Sequence, residues 1–393
     1  MIHQYITTSK LKKTIHFIID WLVDIYVRLF LNISDVEIKN PQKIVFFSLG
    51  HLGDVLILSY IFPLVKEYYP NSTIDVVAPD WCSPILRNNP YLRKVIIHNT
   101  FHENRSPINF LRKILLQFNS LKKVIEELRE QQYDVSIEGR ISYPNGNRIA
   151  FKSKIKKRIG FGSGGFGSLL TNEIKFPESN SFHLLEALLK ELSVIGIKKQ
   201  LSDIKSYYNC SVETSTDFLS LMRTISLPFL ILHFETGNPN RKVNRDFLIK
   251  VVKKIVEETK FNLILCGISN ESNKFYSSLL SIVPNSNNRI INAVNKLSID
   301  ELFELSKYAK AALTLESLPA HLCAINCETI SFYNNGAGSL FFPISNKKAN
   351  VIHNHSNSKY CNQPNIINYF VKDIESIETY EIVEKLLIEI SND

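Results

Sequence analysis

The sequence is poor in the residues that mark fibrous, disordered and disulfide-linked chains. Only 14 of its 393 residues are glycine and 15 are proline, which excludes a collagen-like or wholly disordered chain. No repeat with a period of roughly 20–50 residues is present, and this argues against a solenoid. The cysteines form no CxxC pair and have no zinc-ligand spacing, so we predict reduced thiols in or near the cores. The six cysteines are Cys82, Cys210, Cys266, Cys323, Cys327 and Cys361.

The apolar segment Lys10–Leu31 lacks the features of a signal peptide or a membrane span. No small-residue cleavage site follows it, and polar residues at every fourth position would put a polar stripe along one face of a helix. That stripe consists of His16, Asp20, Asp24 and Arg28. Two interpretations remain open. With lysines 10, 12 and 13 at its start, the helix can lie on an anionic bilayer, or it can pack its apolar face on the domain behind it.

The whole chain has the length and the 45% hydrophobic content needed for two cored domains, and strand and helix patterns alternate along both of its halves. This alternation predicts βαβ units and parallel, doubly wound sheets, with ligands bound at their carboxyl edges in a cleft. In the first half we predict strands at 44–47, 73–78, 94–97 and 133–137, with helices at 54–66 and 111–131. In the second half we predict strands at 229–234, 262–266, 289–291, 311–315 and 328–332, with helices at 245–259 and 298–309, from 318, and at 378–390.

The turn after the first strand, SLGHLGDVLILS (48–59), has the strand–glycine–helix arrangement that cradles phosphate on backbone N–H groups. It contains no lysine or arginine, however, and it closes on a carboxylate, Asp54. Asp54 can cap the helix, for which aspartate is well suited. Alternatively, it can act as a general base that takes a proton from a hydroxyl group.

Two segments of the second half supply the opposite charge. HFETGNPNRKVN follows the strand at 229–234 and holds Arg241 and Lys242, and LESLPAHLCA follows the strand at 311–315. In the latter, Ser317 is a good N-cap residue, and the helix N-terminus after it favours a phosphate. A base in one domain and a cationic pocket in the other are what sugar transfer from a nucleoside diphosphate requires.

The sequence resembles the bacterial lipopolysaccharide heptosyltransferases of glycosyltransferase family 9. The resemblance begins with KIVFFSLGHLGDVLILS and continues through PNSTIDVV, YDVSIEGR, KKRIGFG, HLLEALLKEL, LILCG and LSIDELFELSKYAKAALTLESLPAHLCA. These motifs occur in the order and spacing of the family and cover residues 43 to 390. The resemblance implies a GT-B fold, that is, two Rossmann-like domains facing each other across a cleft. It also implies an inverting mechanism without metal or cofactor, and Asp54 as the base.

The domain boundaries that we predict are 1–40 for an amphipathic helix, 41–200 for the acceptor domain, 201–227 for a linker and 228–393 for the nucleotide-sugar domain. Two departures from the family pattern bear on the donor. The family usually has D-S-G-x-x-H where this chain has Glu316-Ser317-Leu318-Pro319-Ala320-His321, and its K-x-W-P element is replaced by NRKVN. The donor is therefore ADP-heptose or another nucleoside diphosphate sugar.

We predict the following site residues. The catalytic base is Asp54. The donor and nucleotide site comprises Gly53, Thr236, Arg241, Lys242, Gly267, Glu316, Ser317, Leu318 and His321. The acceptor site comprises His51, Arg140, Lys156 and Lys157. His321 is as consistent with a structural histidine as with a phosphate ligand, and the basic run around Lys156 is as consistent with a solvated face.

The net charge of +8 suits an anionic partner. The partners that we predict are a nucleotide-sugar donor, an anionic glycolipid acceptor and the cytoplasmic face of the bacterial inner membrane. A nucleic-acid partner is poorly supported because the basic residues belong to no recognition module. Three alternatives stay open: a different nucleoside diphosphate hexose donor, a different acceptor such as protein, and a non-catalytic glycan-binding member of the fold.

Overall fold

The computed structural model describes residue 5 and residues 10–175, 182–210, 214–225, 228–283, 289–334, 338–355 and 365–392. These residues divide into two compact units. The N-terminal unit comprises the described residues of Met1–Glu178 together with Leu184–Ile204, and the C-terminal unit those of Ser179–His183 and Lys205–Asp393.

The N-terminal unit contains a six-stranded parallel sheet in the order β3-β2-β1-β4-β5-β6. Its strands are β1 (Lys43–Phe47), β2 (Thr73–Ala78), β3 (Lys94–Ile97), β4 (Val135–Glu138), β5 (Lys157–Phe161) and β6 (Asn172–Ile174). The apolar run KIVFF makes β1 a central, buried strand, and its last residue Phe47 lies beside Val77 of β2 and Glu138 of β4. Because parallel strands end at one edge, the segments after β1, β2 and β4 meet there.

Seven helices surround this sheet in the described residues. They are α1 (Lys10–Phe30), α2 (Leu52–Ser59), α3 (Phe62–Tyr68), α4 (Ser83–Leu86), α5 (Phe110–Gln131), α6 (Asn147–Lys152) and α7 (Leu184–Val194). The single helix predicted at 54–66 is wrong, because the chain forms α2 and α3 with a break between them. Pro63 occupies the first turn of α3, where its missing N–H and its ring prevent a continuous helix.

The C-terminal unit contains a seven-stranded parallel sheet in the order β13-β12-β11-β10-β7-β8-β9. Its strands are β7 (Phe229–His233), β8 (Asn262–Cys266), β9 (Ile290–Asn292), β10 (Ala311–Leu315), β11 (Glu328–Tyr333), β12 (Ala349–His353) and β13 (Ile366–Phe370). Its helices are α8 (Thr216–Thr224), α9 (Arg245–Glu258), α10 (Asn270–Ile282), α11 (Ile299–Ser306), α12 (Leu318–Asn326) and α13 (Ile377–Asn392). The segments after β7, β8 and β10 are neighbours at the carboxyl edge because β7 lies between the other two strands.

The predicted fold class is confirmed: both units are parallel-sheet α/β units. Among the described cysteines all five are free thiols, namely Cys82, Cys210, Cys266, Cys323 and Cys327. Cys361 lies outside the described residues. The glycine-rich segment 160–168 continues from β5 into buried turns. Gly165 adopts a φ of 92°, a left-handed conformation that favours glycine.

Helix α1 lies in an orientation that neither sequence interpretation specified. The two carboxylates of its polar stripe, Asp20 and Asp24, are buried against the protein, whereas Arg28 is exposed. Asp20 is 2% exposed and accepts hydrogen bonds from the Tyr5 hydroxyl (2.7 Å) and the Phe166 N–H (2.8 Å). The ring of His16, in the same stripe, contacts the ring of Tyr143 in a tilted arrangement. The interpretation in which α1 packs its apolar face on the domain is therefore wrong. No helix in the described part of the chain is long and apolar enough to cross a membrane.

Candidate active site

Asp54 lies in the first turn of α2, at the carboxyl edge of the N-terminal sheet. Its carboxylate oxygen Oδ2 accepts the N–H of His51, the residue that precedes the helix, at 3.0 Å. The side chain is partly exposed and thus accessible from solvent. Both sequence interpretations of Asp54 remain compatible with this geometry, since one carboxylate oxygen can cap while the other takes a proton. Gly53 precedes Asp54 in the same helical turn.

The turn before α2 is held in place by hydrogen bonds to its backbone carbonyls. Arg140, which follows β4, donates from Nη1 to the Leu49 carbonyl at 2.8 Å, and the Trp81 indole donates to the Gly50 carbonyl at 3.0 Å. A β-carbon at position 50 would lie 2.1 Å from Oδ2 of Asp54 and 2.8 Å from Nη1 of Arg140, so these side chains would have to move to admit one. Asp54 and Arg140 therefore flank the same backbone position.

A carboxylate that sequence reasoning missed, Glu103, joins two predicted acceptor residues. It lies 2.8 Å from Nε2 of His51 and 3.2 Å from Nη2 of Arg140, and Arg105 approaches the same His51 nitrogen at 2.9 Å. Burial would raise the pKa of Glu103, but the hydrogen bond from His51 and the charge of Arg140 outweigh it and lower the pKa to about 2. Glu103 lies in an irregular loop, where no periodic pattern could have indicated it.

Lys156 and Lys157, the other predicted acceptor residues, do not join this group. They lie at the start of β5, and the start of a parallel strand is at the edge of the sheet opposite to Asp54. Lys157 is 4% exposed and donates to the Asp35 carboxylate at 2.7 Å and to the Val36 carbonyl at 3.1 Å. Its ammonium group thus holds the segment before β1 against the sheet.

Beneath the turn lies a pair of buried carboxyls, Glu138 at the end of β4 and Glu191 in α7. Glu138 accepts the N–H groups of Arg140 (3.0 Å) and Gly146, so it helps to shape the loop that carries Arg140. Burial raises the pKa of Glu138 to about 8. Burial and the charge of Glu138 raise the pKa of Glu191, which is fully buried and has no hydrogen-bond partner among the described residues.

In the C-terminal unit, Arg241 and Glu316 form an ion pair at the carboxyl edge of the sheet. Their charged groups are 3.1 Å apart, and Glu316 is only 2% exposed. Thr236 ties the two segments together, because its hydroxyl donates to the Glu316 carbonyl at 3.2 Å. Lys242 forms a separate and exposed pair with Glu271 at 2.7 Å. Both predicted diphosphate ligands therefore have carboxylate partners within the unit.

The N-terminus of α12 carries the next three predicted donor residues. Ser317 has the position of an N-cap residue, but it does not cap with its side chain: its hydroxyl donates to the Leu315 carbonyl at 3.1 Å. Leu318 begins the helix in ordinary helical backbone, so the absence of the family glycine causes no strain there. His321 is 4% exposed, and burial lowers its pKa to about 3, so the imidazole is neutral.

A second carboxylate that sequence reasoning did not select, Glu235, occupies the N-terminus of α10. It accepts the N–H groups of Ile268 and Ser269 as well as the hydroxyls of Ser269 and Ser272. Burial would raise the pKa of Glu235, but these hydrogen bonds outweigh it and lower the pKa. The predicted donor residue Gly267 borders this carboxylate, since a β-carbon there would lie 2.6 Å from its oxygen.

No group of three histidine, cysteine, aspartate or glutamate side chains that could hold a metal ion occurs in the described ranges. The site consists instead of two clusters, each within one unit. The N-terminal cluster contains Asp54, His51, Glu103 and Arg140. The C-terminal cluster contains the Arg241–Glu316 pair, the first turn of α12 and Lys242.

Comparison with known proteins relates this chain to lipopolysaccharide heptosyltransferases. It is 39% identical over 55 residues to lipooligosaccharide heptosyltransferase 2 of Haemophilus ducreyi, an alignment that covers 14% of this chain and 16% of that relative. It is 20% identical over 316 residues to lipopolysaccharide heptosyltransferase 2 of Escherichia coli K12, which covers 78% of this chain and 86% of that one. No family model matches the sequence.

A solved structure supports the same relation at the level of the fold. The family 9 glycosyl transferase of Veillonella parvula superposes with a TM-score of 0.64 at 15% identity, covering 90% of this chain and 91% of that one. The chain has a GT-B fold and resembles the family 9 heptosyltransferases. The two parallel-sheet units described above are the two domains of this GT-B protein. Asp54 and the Arg241–Glu316 pair thus lie in different domains of it.

Proposed function

We propose that the protein is an inverting glycosyltransferase that needs no metal ion. It transfers a sugar, for which heptose is the best candidate, from a nucleoside diphosphate sugar to the core of a lipopolysaccharide or lipooligosaccharide. The observation that carries the proposal is the accessible carboxylate of Asp54 at the sheet edge, in a turn whose sequence resembles the heptosyltransferases. The acceptor is anchored in a membrane, so the enzyme works at the cytoplasmic face of the inner membrane.

In this proposal Asp54 is the general base. Its free oxygen accepts the proton of the acceptor hydroxyl while the hydroxyl oxygen attacks the anomeric carbon of the donor sugar. The bond between that carbon and the diphosphate oxygen breaks, and its electron pair leaves with the diphosphate. Removing such a base typically slows turnover by roughly 10² to 10⁴-fold.

The ion pairs around the turn position this base and the acceptor. Glu103 holds both His51 and Arg140, and Arg140 holds the Leu49 carbonyl one residue before Gly50. Arg140 carries the charge of a guanidinium, a group that forms charge-assisted hydrogen bonds to anions, and we assign it to an anionic group of the acceptor. Arg140 is thus a positioning and acceptor-binding residue, whereas the two lysines at the start of β5 have no part in the proposal.

The diphosphate binds in the C-terminal unit, at the first turn of α12 beside Arg241 and Lys242. Pro319 has no N–H and the N–H of Ala320 is bonded to the Ser317 carbonyl, so Leu318 offers the remaining donor of that turn. One helix terminus contributes only about 0.3–1 kcal/mol at an exposed site, so the cations must contribute more. Lys242 exchanges its exposed partner easily, since surface pairs are worth roughly 0–1 kcal/mol.

The Glu316–Leu318 departure favours a second candidate, in which the same chemistry uses a nucleoside diphosphate hexose other than ADP-heptose. Glu316 is buried and forms an ion pair with Arg241. It therefore contacts a ribose or sugar hydroxyl only if this ion pair rearranges. A thermal-shift panel of nucleoside diphosphates and their sugars distinguishes the two donors, because a ligand of the folded state raises the melting temperature.

The decisive test of the proposed function is Asp54→Asn in single-turnover transfer at saturating donor. Asparagine retains an oxygen that can accept the His51 N–H, so the fold and donor affinity stay unchanged while turnover falls by roughly 10²-fold or more. Asp203→Asn is the matched control, because Asp203 caps Gln200 at 2.8 Å in the same unit with the same geometry. Equal turnover of the two variants would reduce Asp54 to a helix cap.

A further inference from the structure

The outward face of α1 is apolar. With both of its carboxylates turned inward, the helix presents large apolar side chains to solvent, each between 37% and 70% exposed. These side chains are Leu11, Ile15, Phe17, Ile18, Ile19, Trp21, Leu22, Ile25, Tyr26, Leu29 and Phe30. Burying one such side chain is worth about 1.5–3 kcal/mol, so a face of this size is suited to contact with an apolar phase.

The first part of α5 has the same character. Five large apolar side chains between residues 110 and 118 are from 38% to 72% exposed, while the buried positions of the helix begin only at Val124. The exposed residues are Phe110, Leu111, Leu115, Leu116 and Phe118. The helix is thus anchored on the sheet by its second half and offers its first half to a partner.

A chain of ring contacts connects the two helices through one region of the N-terminal unit. His16 of α1 contacts Tyr143 (ring centroids 5.0 Å apart), and Tyr143 contacts His102 at 4.9 Å. Phe101, next to His102, contacts Phe110 at the start of α5 at 5.5 Å. Helices α1 and α5 therefore border the same region of the unit.

Basic residues predominate around these surfaces. The only acidic residues of α1 are the two inward ones, and the segment 104–125 contains no acidic residue. The basic residues there are Lys10, Lys13, Arg28, Arg105, Arg112, Lys113, Lys122 and Lys123. A second copy of the chain would bring like charges together, whereas an anionic bilayer gains about 1 kcal/mol for each basic residue near its surface.

We propose that the outward face of α1 and the first half of α5, residues 110–118, form one docking surface for an anionic phospholipid bilayer. The apolar side chains enter the boundary between headgroups and acyl chains, and the basic residues contact the headgroups. The inference deepens the proposed function, on which it rests for its biological setting: docking brings the unit that carries Asp54 to the membrane in which the acceptor is anchored. It assigns α5 to the interface together with α1.

The test is flotation of the full chain with vesicles of phosphatidylcholine alone or mixed with phosphatidylglycerol. The triple variant Leu111→Glu/Leu115→Glu/Phe118→Glu should lower partitioning onto the anionic vesicles by roughly tenfold or more, as should Phe17→Glu/Leu22→Glu. All five positions are exposed, and circular dichroism verifies that the variants fold.

The matched control is Leu219→Glu/Ile282→Glu/Ile388→Glu, which changes similarly exposed residues of the C-terminal unit and should leave partitioning unchanged. Normal flotation of the α5 variant would overturn the inference, and so would a dimer in analytical ultracentrifugation that this variant abolishes. Flotation needs no donor, whereas transfer to a soluble, deacylated acceptor needs no membrane. Loss of one without the other therefore separates a failure of this inference from a failure of the proposed function.

Discussion

The buried carboxyl Glu191 offers a sharp test of the electrostatics near the turn that carries Asp54. The change Glu191→Gln keeps the size of the side chain and removes its titration. Glu191 is fully buried beside Glu138, and its pKa is raised by burial first and by that neighbour second. The charged form of this carboxyl is therefore the form that the folded protein disfavours.

The sign of the effect follows from linkage between folding and proton binding. Both carboxyls have a folded-state pKa above the unfolded value of about 4.5, so the folded state binds more protons over the interval between the two. Their contribution to stability is full below pH 4.5 and is lost as the pH rises, for Glu138 through about pH 8. One such group changes the free energy of unfolding by up to about 1.4 kcal/mol for each pH unit.

We expect Glu191→Gln to gain stability relative to the wild type as the pH rises. The difference in the free energy of unfolding should shift in favour of the variant by more than about 1 kcal/mol between pH 5.5 and 7.5. Urea unfolding followed by tryptophan fluorescence measures it, because both tryptophans, Trp21 and Trp81, lie in the N-terminal unit with Glu191.

A control variant and the choice of the measured quantity make this result interpretable. The control is Glu130→Gln, which makes the same change at an exposed position of the same unit. The pH dependence of the difference, and not its size at one pH, is the quantity of interest, because a buried amide has its own desolvation cost. A difference for Glu191→Gln that does not change with pH would refute the assignment of a proton to this site.

Two predictions concern the substrate sites. Replacing Arg241 and Lys242 by alanine should weaken nucleoside diphosphate binding by more than roughly tenfold, about 1.4 kcal/mol, and leave binding of the bare nucleoside unchanged in calorimetry. The same comparison in a Glu316→Gln background separates this effect from the loss of the Arg241–Glu316 ion pair. An equal loss of both affinities would contradict the placement. Gly50→Ala should lower kcat without weakening donor binding, because its β-carbon displaces the carboxylate of Asp54; steady-state kinetics with an unchanged kcat would count against that geometry.

The parts of the fold that could be predicted are those with a simple physical signature. The strands at 73–78, 94–97, 262–266 and 311–315 have the bounds expected from the sequence, because short apolar runs between turn residues are typical of buried parallel strands. β5 was missed because it begins with Lys157 and Arg158, whose buried side chains interrupt the apolar pattern. Such residues are tolerated only through partners such as Asp35, which no local pattern reveals.

The turn before α2 could be predicted from strand, glycine and helix signals. The residues that hold this turn in place could not be predicted. Glu103 contacts His51 and Arg140 from a loop, across 52 and 37 residues of sequence respectively. The orientation of α1 could not be predicted from the sequence either. A period of four residues identifies the polar stripe on the helix, yet it does not say which face meets the protein. The inward face of the helix is set by contacts such as the one with Phe166, whose N–H donates to Asp20 from 146 residues away in the sequence.

Every strand pair in the described sheets is parallel, and this has a consequence for how the chain folds. Parallel strands cannot be joined by a tight hairpin, so even the central pairs connect distant residues: Ile44 lies beside Val135, and Ala311 beside Leu230. Closing such loops precedes any gain from the contacts, which slows folding and leaves strand edges unpaired for longer. We therefore expect both units to refold without a fast hairpin phase and to be most prone to aggregation before β1 and β7 acquire both neighbours.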